Sequence, residues 1–323
     1  MRVTAKKLEE RKNGHDYHQE LQATYEALRQ RVRGKDSVIE LSIAAMLAGG
    51  HVLLEGPPGT GKTSLAHGLA TAVNGVFKRI QMTSDMLPSD VVGFLRIRPG
   101  SSEFEFRRGP VFSNVLLADE LNRSSPKTQA ALLESMAEGT VTVDGTSYDL
   151  PDPFFVISTQ NPMEFQGVYP LNESQLDRFM ILLRLDAPEK SDELRIYEGA
   201  EGFGTPRALK PLLTTDDVVA IRREVAAIHT EATVYEYCVD LVRATRFLPE
   251  VSCGVSVRGG LQLIAMARAL AYLRGREFVT PKEVKDAAVP ALAHRLCFAD
   301  GTHDHAQKVA VILRLLEKIQ APR

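Results

Sequence analysis

The chain has 323 residues, more than one typical core accommodates, so two domains are expected. With 44% hydrophobic and 25% charged residues, the composition is that of an ordinary soluble globular protein. A net charge of −2 gives no electrostatic footprint for nucleic acid or an anionic membrane surface as the main partner.

The opening "MRVTAKKLEERKNGHD" is polar and reads as no signal peptide. Residues 1–35 are charged and helix-permissive, as in "YHQELQATYEALRQRV", and are expected to form a peripheral N-terminal helical extension. The most apolar stretch, "LSIAAMLAGGHVLL", is too short and too interrupted to span a bilayer. From 36 to 187, the short apolar runs "HVLLE", "VFKRIQ", "VLLAD", "FFVIST" and "MILLRL" alternate with helical patterns. Strands alternating with helices predict an α/β fold with a parallel sheet. Runs such as "VLLA" suit strands covered on both faces. Asp144-Gly145 in "VDGTSY" signals a hairpin outside that sheet.

Residues 188–206, opening on Pro188 and ending Gly-rich, are expected to link two domains. Beyond them, in residues 207–323, no strand pattern competes and four or five helices are expected. Two have clear starts: a Thr cap with acids in the first turn of "TTDDVVAIRREVAAI", and Thr280 as cap with Pro281 at the first helical position. The second domain therefore reads as all-α. Cys238, Cys253 and Cys297 are odd in number and far apart, which fits buried thiols in a reducing compartment better than disulfides or zinc. The histidines of "HDYH" (15–18) and "THDH" (302–305) read as exposed loop residues, since no carboxylate-cysteine framework surrounds them. A cytoplasmic protein follows.

The strongest chemical signal is "GPPGTGKT": Gly56, Pro57, Pro58, Gly59, Thr60, Gly61, Lys62 and Thr63, followed by Ser64. It fills the pattern G-x-x-x-x-G-K-[ST] between an expected strand and a helix with Leu65, Leu69 and Val73 on one face. Backbone N–H groups of Gly59 to Lys62 would wrap a β-phosphate at a helix N-terminus. Lys62 would neutralise the β/γ oxygens, and the Thr63 hydroxyl would ligate Mg²⁺. The strand "VLLADE" ends in two carboxylates, costly unless they meet a cation or a reacting water. Asp119 would order the Mg²⁺ shell and Glu120 would take the proton from the attacking water. Asn161 in "FFVISTQNP", just past a strand, could donate to the γ-phosphate and hold that water in line. No N-K-x-D element for guanine is present, so ATP is the expected nucleotide. Arg178 in "LNESQLDRFM" has no acid three or four residues before it, where Gln175 and Ser174 stand, and Asp177 points elsewhere on a helix; a helix-dipole role is its local explanation.

Together "GPPGTGKTS", "LPSDVVG", "GPVFSNVLLADELNRSSPKTQAALLESMAEG", "STQNP" and "LNESQLDRF" have the order and spacing of AAA+ ATPases of the MoxR type, which residues 36–187 resemble closely and the C-terminal part more loosely. The resemblance implies an AAA+ P-loop NTPase core, a five-stranded parallel sheet sandwiched by helices, with a C-terminal all-α lid domain. It assigns Lys62 and Thr63 to Walker A, Asp119 and Glu120 to Walker B, and Asn161 to sensor 1. Arg178 matches the position from which such proteins reach a neighbouring subunit's γ-phosphate, and Arg258 in "GVSVRGG" matches the lid arginine called sensor 2. Ser256-Val257 stands where Ser/Ala-Pro is usual, and whether Arg258 would act in cis or in trans stays open. Residues 94–108 and 140–150 resemble inserts that face the ring axis in relatives; as plain surface hairpins they would have no such role. The implied protein is a homo-oligomer, a hexameric ring using ATP and Mg²⁺ to remodel or chaperone a protein client, with von Willebrand factor A domain proteins among candidate partners. A chelatase-like metal-insertion motor and a nucleotide-gated binding adaptor with little turnover are the alternatives.

Overall fold

The computed structural model describes residues 16–100, 102–161, 167–198, 209–301 and 304–322. In chain order, α1 (His18–Arg31), α2 (Asp36–Leu47), β1 (Val52–Glu55), α3 (Lys62–Ala72) and β2 (Phe77–Gln81) come first. A short helix α4 (Pro88–Val92) leads into the hairpin β3 (Gly93–Ile97) and β4 (Phe104–Arg108). Then follow β5 (Val115–Asp119), α5 (Pro126–Glu138), a second hairpin β6 (Thr140–Val143) and β7 (Thr146–Asp149), and β8 (Phe155–Gln160). The short α6 (Glu173–Leu176), β9 (Ile181–Arg184) and α7 (Lys190–Glu198) complete this part. The C-terminal part holds α8 (Thr215–Ala227), α9 (Ala232–Thr245), β10 (Val251–Cys253), α10 (Val257–Leu273), α11 (Pro281–Leu292), β11 (Cys297–Phe298) and α12 (His305–Lys318).

The expected parallel sheet is there, five strands in the order β2-β5-β8-β1-β9. Successive residues of a strand face opposite sides, and the apolar runs sort accordingly. Val52, Leu54, Val115, Leu117, Phe155 and Ile157 enter one core with α1, α2 and α3. Leu53, Leu116, Ala118 and Val156 enter a second core, closed by α5. Helix α3 presents Leu65, Leu69 and the following Val73, all fully buried, each worth roughly 1.5–3 kcal/mol of burial. Asp144 and Gly145 both have positive φ, 51° and 77°, the turn that lets β6 and β7 pair in register as a hairpin.

The fold departs from sequence expectation in several places. Helix α1 is the helix expected of the N-terminal extension, but it is not merely peripheral: Leu21 and Leu28 are buried in the first core, and His18 Nε2 lies 2.9 Å from the Tyr272 carbonyl. Helix α7 occupies residues 190–198 of the expected linker, whose last residues, 199–206, lie outside the described residues. The lid is helical, but Val251–Cys253 pairs antiparallel with Cys297–Phe298; runs of three and two residues are too short to carry a period. Of the cysteines only Cys238 is buried, its thiol pushed up to about 12, while Cys253 is exposed and Cys297 half-buried. His18 and His305 are half-buried in helices rather than exposed in loops; His15, Thr302 and His303 lie outside the described residues.

The lid is latched to the core by ion pairs: Arg274, itself held within the lid by Asp286 at 2.7 Å, reaches Glu40 at 3.0 Å, and Arg222 reaches Asp152 at 2.9 Å. His51, at the foot of β1, is buried with both ring nitrogens engaged: Nε2 lies 3.0 Å from the Met136 carbonyl and Nδ1 accepts from the Val156 N–H at 3.1 Å. Burial pushes its pKa down to about 4. The unfolded chain takes up this proton near 6.5, the folded chain only near 4, so stability is lost as pH falls through that window. The loss from His51 should reach about 3 kcal/mol. Urea midpoints at pH 7 and pH 4.5, for the wild type and for His51→Asn, measure it: the wild type should lose more, and equal losses would contradict the assignment.

Candidate active site

Parallel pairing brings the carboxyl ends of β1, β2, β5 and β8 to one edge of the sheet, with Glu55 opposite Gln160 and Gln81 opposite Asp119. Ligands of open parallel sheets bind along that edge. Here a cleft of about 330 Å³ is lined by Gly56, Pro58, Gly59, Gly61, Lys62, Thr63, Ser64, Arg79, Gln81, Asp119, Glu120, Thr159, Gln160 and Asn161.

Its floor is the loop between β1 and α3. Gly56 passes so close to the Leu185 carbonyl that an added Cβ would lie 2.2 Å from its oxygen, and Gly59 and Gly61 have φ of +82° and +93°. Only glycine satisfies both demands cheaply. Thr60 turns inward, its hydroxyl donating to the Pro57 carbonyl at 3.0 Å. Lys62 Nζ donates to the carbonyls of Gly56 at 2.6 Å and Pro57 at 2.9 Å, holding the ammonium against the loop. Burial lowers its pKa, while Asp119 and Glu120 pull the other way. The helix starts at Lys62, so its first N–H groups face the cleft without intrahelical partners, as anion binding requires.

The wall is built on the two acids. Asp119 is buried, its Oδ2 accepting from Arg79 Nε at 2.7 Å and its Oδ1 from the Thr159 hydroxyl at 3.1 Å. The same Thr159 oxygen accepts from the Glu120 N–H at 2.9 Å, so one side chain fixes both acidic residues. Glu120 has φ 57° and ψ 49°, a left-handed conformation costing a non-glycine residue about 1–3 kcal/mol. That strain turns its carboxylate out of the strand, where Gln81 Nε2 donates to it at 2.5 Å and Arg123 pairs with it at 3.1 Å. Two carboxylates at a strand end need compensating cations, and Arg79 and Arg123 of the same chain supply part of that charge. Thr63 and Asp119 present a hydroxyl and a carboxylate to one cleft, the oxygen donors a hard cation such as Mg²⁺ takes.

The motif residues do not all converge. Asn161 lines the cleft, as do Lys62, Thr63, Asp119 and Glu120. Arg178 and Arg258 do not: Arg178 lies beyond α6 and donates to the Leu133 carbonyl in α5 at 3.0 Å, and Arg258 is exposed in the first turn of α10. Arg178 therefore has a partner in its own chain, a helix carbonyl rather than an acid. Asp177 does not point away idly either; it pairs with Arg295 at 2.7 Å. Sequence reasoning does not find Arg79, Gln81, Thr159 and Gln160. The available signal is a strand "FKRIQ" with polar residues at its carboxyl end, but which strand it faces is not written locally.

Two family models match the chain: the ATPase family associated with various cellular activities (AAA), over residues 51–181, and the AAA lid domain, over residues 243–313. The uncharacterized protein YeaC of Bacillus subtilis is 42% identical over 308 residues, covering 95% of this chain and 96% of its own. Chaperone MoxR1 of Mycobacterium tuberculosis is 39% identical over 301 residues, covering 90% of this chain and 79% of its own. Among solved structures, a proposed ATPase from Cytophaga hutchinsonii superposes with a TM-score of 0.86 at 35% identity, covering 95% of this chain and 96% of that one.

Replacing Lys62 tests the phosphate cradle. Lys62→Ala removes a charged donor worth about 1.5–3 kcal/mol, so titration with a fluorescent ATP analogue should show affinity reduced by roughly tenfold to a hundredfold. Undiminished affinity would remove Lys62 from the site.

Proposed function

Because the chain belongs to the MoxR family of AAA ATPases, we propose that it hydrolyses ATP with Mg²⁺ in an assembled ring and applies the resulting motion to a protein client. The observation that carries this reading is the division of the motif residues. Loop, acids and Asn161 share one cleft, while Arg178, on the same chain, stands outside it. A cation that cannot serve its own cleft is of use to the cleft of another copy.

In this reading the loop N–H groups and Lys62 bind the β- and γ-phosphates, Lys62 leaving the Gly56 and Pro57 carbonyls to do so. Thr63 and Asp119 hold Mg²⁺, which when bound neutralises charge on the phosphate oxygens. Arg79 must leave or share the Asp119 carboxylate when that cation is held. Glu120 orients water and accepts its proton, and it does so only once Gln81 and Arg123 release its carboxylate, because an engaged carboxylate is a poor base. Asn161 fixes the water against the γ-phosphate. Arg178 of a neighbouring copy adds the remaining positive charge in the transition state.

We assign residues 36–187 to nucleotide chemistry and 207–323 to the lid, and we place the work in the cytoplasm. The hexameric state is part of the same proposal. Remodelling of a protein is supported by the name of the chaperone relative and by the hairpin β3–β4, which exposes Phe94, Ile97 and Phe104. Two of its arginines are paired within the hairpin, Arg96 with Glu105 and Arg98 with Glu103, and Arg108 lies over the Phe112 ring, which suits a protein surface better than a phosphate backbone.

Two substitutions test this. Glu120→Gln should bind ATP normally and stall turnover; unchanged steady-state phosphate release would exclude Glu120 as the base. Arg178→Ala should leave ATP affinity intact and lower turnover of assembled protein about 10³-fold or more. Wild-type turnover in rings of this variant would end the trans assignment.

A further inference from the structure

The segment that carries Arg178 is held by the lid. Strand β9 is an edge strand with β1 as its sheet neighbour, so the residues leading into it, 177–180, have sheet support on one side. On the other side stands Arg295, in the short turn Ala293–Arg295 that follows α11. Its guanidinium is buried, with the side chain only 2% exposed. Nε donates to Asp177 Oδ1 at 2.7 Å, Nη2 to the carbonyls of Phe179 at 2.6 Å and Asp177 at 3.3 Å, and Nη1 to that of Met180 at 3.3 Å. Nη1 also reaches the Ala291 carbonyl, and Nη2 shares its donors with Gln262 Oε1.

Neighbouring lid groups close on the same residues. The Ser256 hydroxyl lies 3.1 Å from Asp177 Oδ2, and His294 Nε2 lies 3.2 Å from the Phe179 carbonyl. Helix α10 makes way for the guanidinium at Gly259, where a Cβ would lie 2.8 Å from Arg295 Cδ. A buried guanidinium is tolerable only while its donors are satisfied, and stripping its partners is strongly unfavourable. The lid cannot slide past residues 177–180 without incurring that cost, so the two move together.

We propose that Arg295 is a positioning residue for Arg178: it binds the backbone on both sides of Arg178 to the lid, so that the lid of one copy sets where its arginine stands in the neighbouring copy's cleft. This rests on the trans role of Arg178 given above. It makes the lid of each chain a control on the activity of the next.

Mixed assemblies of full-length chains test it. Arg295→Met alone should keep ATP affinity within about twofold and lose turnover at least tenfold, as a displaced finger implies. Its own cleft remains sound. Mixing with Glu120→Gln chains, which have an intact Arg178 and an inactive cleft, should therefore restore turnover several-fold above either preparation alone. Mixing with Arg178→Ala chains should restore nothing. Asp177→Asn, which keeps the shape and loses the ion pair, should follow the same pattern more weakly, and it decides between the same outcomes if Arg295→Met does not fold. Wild-type turnover in these variants, or lost turnover that Glu120→Gln chains do not restore, overturns the proposal. The control mixture of Arg178→Ala with Glu120→Gln separates the two levels. If the control recovers and the Arg295 mixture does not, the positioning role alone falls. If the control itself fails, the trans role falls and the positioning role with it.

Discussion

Parallel register is the constraint on which the rest depends. With β5, β8 and β1 side by side and all pointing one way, their carboxyl ends meet at one edge, and that edge is where the chain places its polar residues. Leu54 pairs with Thr159, so the strand feeding the phosphate loop lies beside the strand whose hydroxyl holds both Asp119 and Glu120. A shift of one residue would turn Thr159 to the opposite face of the sheet and separate the acids from the loop. The two cores resist such a shift, because each strand buries apolar residues on both faces.

Charge management is the second theme. Each of these charged groups near the cleft is engaged: Asp119 by Arg79, Glu120 by Gln81 and Arg123, Glu55 by Arg184 and Gln160, Lys62 by loop carbonyls. Buried charges need such partners. In the proposed mechanism the same contacts hold the reactive groups out of use, so turnover would require rearranging hydrogen bonds rather than building a site anew. The strained Glu120 backbone sits where that rearrangement is centred.

Much of this is legible in the sequence, and the boundary is physical. The loop Gly56–Thr63, the caps at Thr214 and Thr280, and the Asp144-Gly145 turn are fixed by interactions within a few residues, so local spacing is enough. Strands β1, β5, β8 and β9 are readable because both-face burial imposes continuous apolar runs, whereas the edge strand β2 buries only Ile80. What is not legible depends on partners distant in the chain. Gln81 meets Glu120 only because β2 lies beside β5, and Arg295 meets Asp177 across a separation of 118 residues. The ribbon β10–β11 escapes the sequence for another reason: runs of three and two residues carry no period. Arg178 is readable as an odd charge and as a family position, yet its contact with Leu133 comes only from the fold.

Central to this picture is that one chain does not contain a complete active site. Steady-state ATP turnover per chain, followed across protein concentration while sedimentation reports the assembly state, tests it most directly. Turnover per chain should rise as copies assemble and collapse when dilution separates them. A dissociated chain that hydrolyses ATP as fast as the assembled one would contradict the claim.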